Sequence, residues 1–133
     1  MTTSVGPSVL VIDDDADVRE MLTDFLGAHG YSVRAAADAA SGLAQISQVS
    51  PEIVLVDIAM PGLSGVDALP RILALAPRVA VVMVSGAGDD DIAVRTRALG
   101  AVDYLVKPFD FSRLHETLAM ALERRKSDLR PPR

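Results

Sequence analysis

The chain has 133 residues, 50% of them hydrophobic, enough for one domain around a single core and too few for a second folded module. It contains no cysteine, which excludes a disulfide framework, a thiolate metal site and a cysteine nucleophile. The net charge of -5 is unevenly spread: residues 124–133 (RRKSDLRPPR) carry +4, so the rest carries -9, and an acidic body argues against direct nucleic-acid binding by this domain.

The opening MTTSVGPS has neither the basic region nor the apolar stretch of a signal peptide, and no apolar run approaches membrane-spanning length. The expectation is a soluble, cytoplasmic protein with a flexible N-terminus over residues 1–8. The first strand is predicted at 9–12 and stops in three acids, Asp13, Asp14 and Asp15. Carboxylates this close repel one another unless a cation lies among them. Asp15 reads as the cap of a helix over 16–28, whose inward stripe is Val18, Met21, Leu22, Phe25 and Leu26 and whose end is a left-handed Gly30.

A second strand at 31–35 leads to an Ala-rich helix at 38–49 with Leu43 and Ile46 inward. The third strand, 53–56, ends in a lone acid, Asp57. Gly62 and Gly65 read as turn and helix-entry residues before a helix at 65–75. Pro70 falls about one turn into that helix and is expected to be tolerated, with a ragged helix start. The fourth strand, 79–84, ends at Ser85, and Asp89 to Asp91 read as caps for a helix over 90–99 that stops at Gly100. The fifth strand, 104–106, delivers Lys107 and Pro108, and a last helix spans 112–125 with Leu114, Leu118 and Leu122 at spacing four. His29 and His115 have no second ligand at helical spacing and read as surface residues. The basic end of the last helix suits its dipole, and the Pro-containing tail, 126–133, is either a disordered stop or the start of a linker to an output domain.

Five strand-then-helix units imply an α/β domain with a parallel sheet, right-handed crossovers and helices on both faces. Sites in such sheets lie outside the carboxyl ends of the strands. Asp13, Asp14, Asp57, Ser85 and Lys107 all occupy strand ends and are expected to meet in one cleft.

Asp14 to Asp57, Asp57 to Ser85 and Ser85 to Lys107 are 43, 28 and 22 residues apart. With DIAMPGLSG, VMVSGAGD and GAVDYLVKPF, this joint pattern resembles the receiver domain of two-component response regulators, here over residues 9–125. The resemblance implies a single (βα)5 flavodoxin-like domain with strand order 2-1-3-4-5. It implies that Asp57 is the phosphoacceptor, that Asp14, Asp57 and the backbone carbonyl of Ala59 ligate Mg2+ (Mn2+ the alternative), and that Asp13 acts through water. Lys107, after a cis Lys-Pro bond, would neutralise phosphoryl oxygens, making Asp57 and Lys107 the catalytic pair. Ser85 would hydrogen-bond the phosphoryl group, and Tyr104 would swing inward when the loop from 86 to 89 moves.

The implied partners are a sensor histidine kinase or histidine phosphotransfer protein and a downstream protein target that reads the surface of the fourth helix, fifth strand and fifth helix. No membrane partner is implied, and the assembly is a monomer or a phosphorylation-dependent homodimer. Ala59 and Ala87 depart from better-known members, which often carry amide or charged side chains there, so no phosphoryl lifetime carries over. The resemblance implies a non-enzymatic signalling domain, either stand-alone or the N-terminal receiver of a longer DNA-binding transcription regulator. An aspartyl-phosphate hydrolase is the alternative from another class, but its general acid two residues after the nucleophile is here Ala59.

Overall fold

The computed structural model describes residues 6–86 and 90–128. Ala87, Asp89, the start of the chain and the terminal Pro131-Pro132 segment lie outside the described residues, so the expectations placed on them have no structural counterpart here. Five strands, β1 (Ser8–Ile12), β2 (Ser32–Ala36), β3 (Ile53–Asp57), β4 (Ala80–Ser85) and β5 (Asp103–Val106), alternate with five helices. The helices are α1 (Ala16–Ala28), α2 (Ala39–Gln48), α3 (Gly65–Leu75), α4 (Asp90–Ala98) and α5 (Phe111–Asp128). All pairings are parallel and the order is β2-β1-β3-β4-β5, as expected.

The unbroken apolar strands are explained by two cores, because alternate strand residues point to opposite faces. Leu10, Ile12, Val54, Val56, Val81 and Met83 pack with Ile46 of α2 and Leu69 and Ile72 of α3. Val9, Val11, Ile53, Leu55, Val82 and Val84 pack with Leu22 and Leu26 of α1 and Leu114 and Leu118 of α5. Helix α4 has a thinner attachment, with Ile92 partly buried against the first core, Thr96 buried, and Val94 exposed.

Three local expectations are corrected. The start of α3 is not ragged: Ser64 Oγ accepts from the Asp67 N–H at 3.2 Å, and the helix passes through Pro70 unbroken. Met21 does not point inward; it is exposed and lines a cleft with Val18, Lys107, Pro108 and Phe109. Helix α5 runs past Arg125 to Asp128, and Arg125 faces Glu52, at the foot of β3, with a 3.9 Å separation. Other details agree: Gly30 takes φ +91, where a Cβ would be strained, and ends α1.

Candidate functional site

The sheet brings the strand ends together. Asp13 follows β1, Asp57 closes β3, and the β1–β3 register, with Ile12 opposite Val56, sets the two acids side by side. Carboxylate oxygens of Asp13, Asp14 and Asp57 all lie within 4.8 Å of one another, with Asp13 and Asp57 buried and Asp14 exposed. Ser85 and Val106 are register partners, and the Lys107 N–H donates to the Ser85 carbonyl at 2.6 Å, so the β4–β5 ladder delivers the lysine to the same place. The Lys107-Pro108 bond is cis.

Each buried carboxylate divides its oxygens in the same way. Asp13 Oδ1 accepts from the Asp15 N–H at 2.9 Å and Asp57 Oδ1 from the Ala59 N–H at 3.1 Å. Their Oδ2 atoms share the Lys107 ammonium, at 2.9 Å for Asp13 and 3.2 Å for Asp57. Burial raises the Asp57 pKa; the Ala59 N–H and the Lys107 charge oppose this, Asp13 adds to it, and the result stays above the ordinary carboxylate value. Burial would lower the Lys107 pKa, but the hydrogen bond and charge of Asp13, followed by those of Asp57, outweigh it and hold the ammonium above its ordinary value.

Three carboxylates and one ammonium leave a formal charge of -2 in a partly desolvated cleft. Such an all-oxygen donor set suits a hard divalent cation that keeps several waters, and its charge would offset the deficit. Three further contacts build the cleft and were not legible as motifs. Arg19 Nη1 donates to the Asp13 carbonyl at 2.8 Å, tying α1 to the acidic turn. Lys107 holds both Asp13 and Asp57. Gly65 lies against the backbone of Asp57 and Ile58, its N–H on the Ile58 carbonyl at 3.0 Å, so α3 starts directly beneath the Asp57 segment.

The remaining sequence candidates fall around this centre. Ser85 is buried at the end of β4. Ala59 is exposed, two residues after Asp57. Tyr104 is half-buried and, like Ile92 of α4, packs against the core on the α2–α3 side. Asp15 is the cap of α1, accepting from the N–H groups of Asp17 and Val18 at 2.9 and 3.4 Å.

A doubly wound five-stranded domain with an acidic cleft at its strand ends and a lysine across it defines a class of signalling module. The response regulator receiver domain matches residues 9–119, and the chain belongs to that family, the receivers of two-component systems. It is 39% identical to the C4-dicarboxylate transport transcriptional regulatory protein DctD of Rhizobium meliloti, over 92% of this chain and 27% of that protein. It is 35% identical to the chemotaxis protein CheY of Thermotoga maritima, over 86% of this chain and 96% of that one. Among solved structures, a response regulator receiver domain protein of Clostridium thermocellum superposes with a TM-score of 0.87 at 32% identity, covering 93% of this chain and all of the other. NtrX of Brucella abortus gives 0.86 at 37% identity, with 91% of this chain and 28% of NtrX covered. The chain therefore spans about a quarter of the length of several relatives and nearly the whole of CheY. Among the described residues, no helix is long and apolar enough to cross a membrane.

Proposed function

We propose that this domain accepts a phosphoryl group on Asp57 from a phosphohistidine donor and changes its partner-binding surface as a result. The observation that carries this is the convergence of Asp13, Asp14 and Asp57 within 4.8 Å, with Lys107 held between two of them. An Asp57 oxygen forms the new O–P bond as the P–N bond of the donor breaks and the imidazole leaves with the electron pair. Lys107 is charged and lies 3.2 Å from Asp57, so it would exchange that contact for the phosphoryl oxygens over a short distance.

Asp14, Asp57 and the carbonyl of Ala59 would hold Mg2+ or Mn2+, with Asp13 acting through water; the ion supplies charge neutralisation at the transferring group. Ser85 would donate its hydroxyl to the phosphoryl group. The exposed apolar cleft beside Lys107, formed by Val18, Met21, Pro108 and Phe109, gives a donor protein a place to approach the acid. Tyr104 and the lightly attached α4 would then carry the change to the α4–β5–α5 surface, where a downstream protein reads it. A cytoplasmic location follows from a kinase partner of this kind.

The test is intact-mass measurement after incubation with acetyl phosphate and Mg2+. One added phosphoryl group is expected, with none in Asp57→Ala; incorporation that persists in that variant assigns the acceptor elsewhere. A second reading, that this is the receiver of a longer transcription regulator, is favoured by the share of DctD that the chain covers. An aspartyl-phosphate hydrolase is disfavoured because Ala59 cannot act as the general acid.

A further inference from the structure

We propose that His29 and His115 form a two-imidazole site for a divalent transition ion, joining the end of α1 to the first turns of α5. His29 is the C-cap residue of α1 and His115 lies on α5, 86 positions later. Their ring centroids are 5.6 Å apart, and both side chains are exposed. A zinc ion about 2.1 Å from a ring nitrogen lies about 3.2 Å from that ring's centre, so two rings on one ion are separated by at most about 6.4 Å. A separation of 5.6 Å fits an angle at the ion of about 120°, between tetrahedral and linear.

A second observation concerns the proton. His29 Nδ1 lies 2.9 Å from the Phe25 carbonyl, which can only accept, so Nδ1 carries the hydrogen and the neutral ring keeps its lone pair on Nε2. A backbone carbonyl on the far nitrogen is the arrangement that orients metal-binding imidazoles. Packing holds the pair as well. His29 lies on Phe25 with centroids 4.2 Å apart, Phe25 stacks on Phe111 at 4.2 Å and 11°, and Tyr31 meets His115 edge-on at 6.5 Å. Phe25, His29, Phe111, Ser112 and His115 line an open cleft of about 170 Å³, which leaves room for waters on the ion's other positions.

Imidazoles favour zinc, copper and nickel, whereas the acidic cluster favours hard ions, so the two sites separate by chemistry. The experiment is calorimetric titration of the metal-free chain with zinc chloride in excess magnesium chloride. One zinc per chain is expected, with affinity at least about tenfold weaker in both His29→Gln and His115→Gln and unchanged in Asp14→Asn. Zinc is also expected to raise the unfolding midpoint of the intact chain and of Asp14→Asn but of neither histidine variant, since the unfolded chain does not hold the two rings together. The unfolding midpoint of each variant without zinc shows whether it is folded. Absence of zinc binding to the intact chain overturns the proposal, as does binding that survives either histidine substitution or disappears with Asp14.

Discussion

Lys107 links two carboxylates that would otherwise repel one another, and the consequences of that linkage for stability can be signed. The raised Asp57 pKa means that the folded chain binds this proton more tightly than the unfolded chain does. Metal-free stability therefore rises as pH falls through the folded value toward the ordinary aspartate value of 3.8, and the full penalty applies above the folded value. Lys107 has a dependence of the same sign at the alkaline end: its contribution is complete below 10.5 and is lost as pH rises through its higher folded value. Urea unfolding of the metal-free protein is expected to show Asp57→Asn more stable than the parent at neutral pH and without the acid-side gain. The alkaline loss should persist in that variant, because Asp13 still holds the ammonium at 2.9 Å. A neutral-pH midpoint below that of the parent would contradict the burial argument.

Helix ends hold the cleft residues in place, and two substitutions test this at the scale of single elements. Asp15→Ala removes the side chain that accepts from the Asp17 and Val18 N–H groups, and a loss of about 1 kcal/mol is expected in the unfolding free energy measured with urea. Gly65→Ala puts a Cβ against the Asp57 carbonyl oxygen and the Ile58 Cα, which are backbone atoms that cannot rotate away. A cost of about 1–3 kcal/mol is expected, together with slower phosphoryl uptake from acetyl phosphate, since residues 57–59 must shift. The bounds of α1 were legible because its Asp15 cap and its periodicity are local, whereas the Ser64 cap that makes the α3 start clean went unread behind Pro70. The last turn of α5 was not legible, because residues 126–128 carry neither a cap nor an apolar spacing that marks where the helix stops. Met21 has the spacing of a core residue, yet its burial depends on what the β5–α5 connection leaves uncovered. The strand-end residues were legible because parallel α/β topology sends them to one edge, whereas the Lys107–Asp13 contact and the approach of Gly65 depend on side-chain reach and helix placement.

The molecule as a whole carries an acidic excess and concentrates part of it, a formal -2, in one cleft. A cation that binds the folded cluster has no equivalent site in an unfolded chain, where Asp14 and Asp57 are 43 residues apart. Under the proposed assignment, magnesium at about a hundred times its dissociation constant stabilises the fold by about 2.7 kcal/mol. For a domain of this size each kcal/mol moves the melting midpoint by roughly 3–4 °C, so a rise of about 8–11 °C is expected by calorimetry. General screening of the acidic body predicts a different pattern: sodium chloride at matched ionic strength would then do as well, and every acid would matter alike. Specific binding requires the magnesium shift to exceed the sodium shift, to vanish in Asp14→Ala and to survive in Asp15→Ala, whose carboxylate is occupied with the α1 cap. Equal shifts from the two salts, or equal losses in the two variants, would leave the acidic strand ends as a diffuse charge effect rather than a metal site.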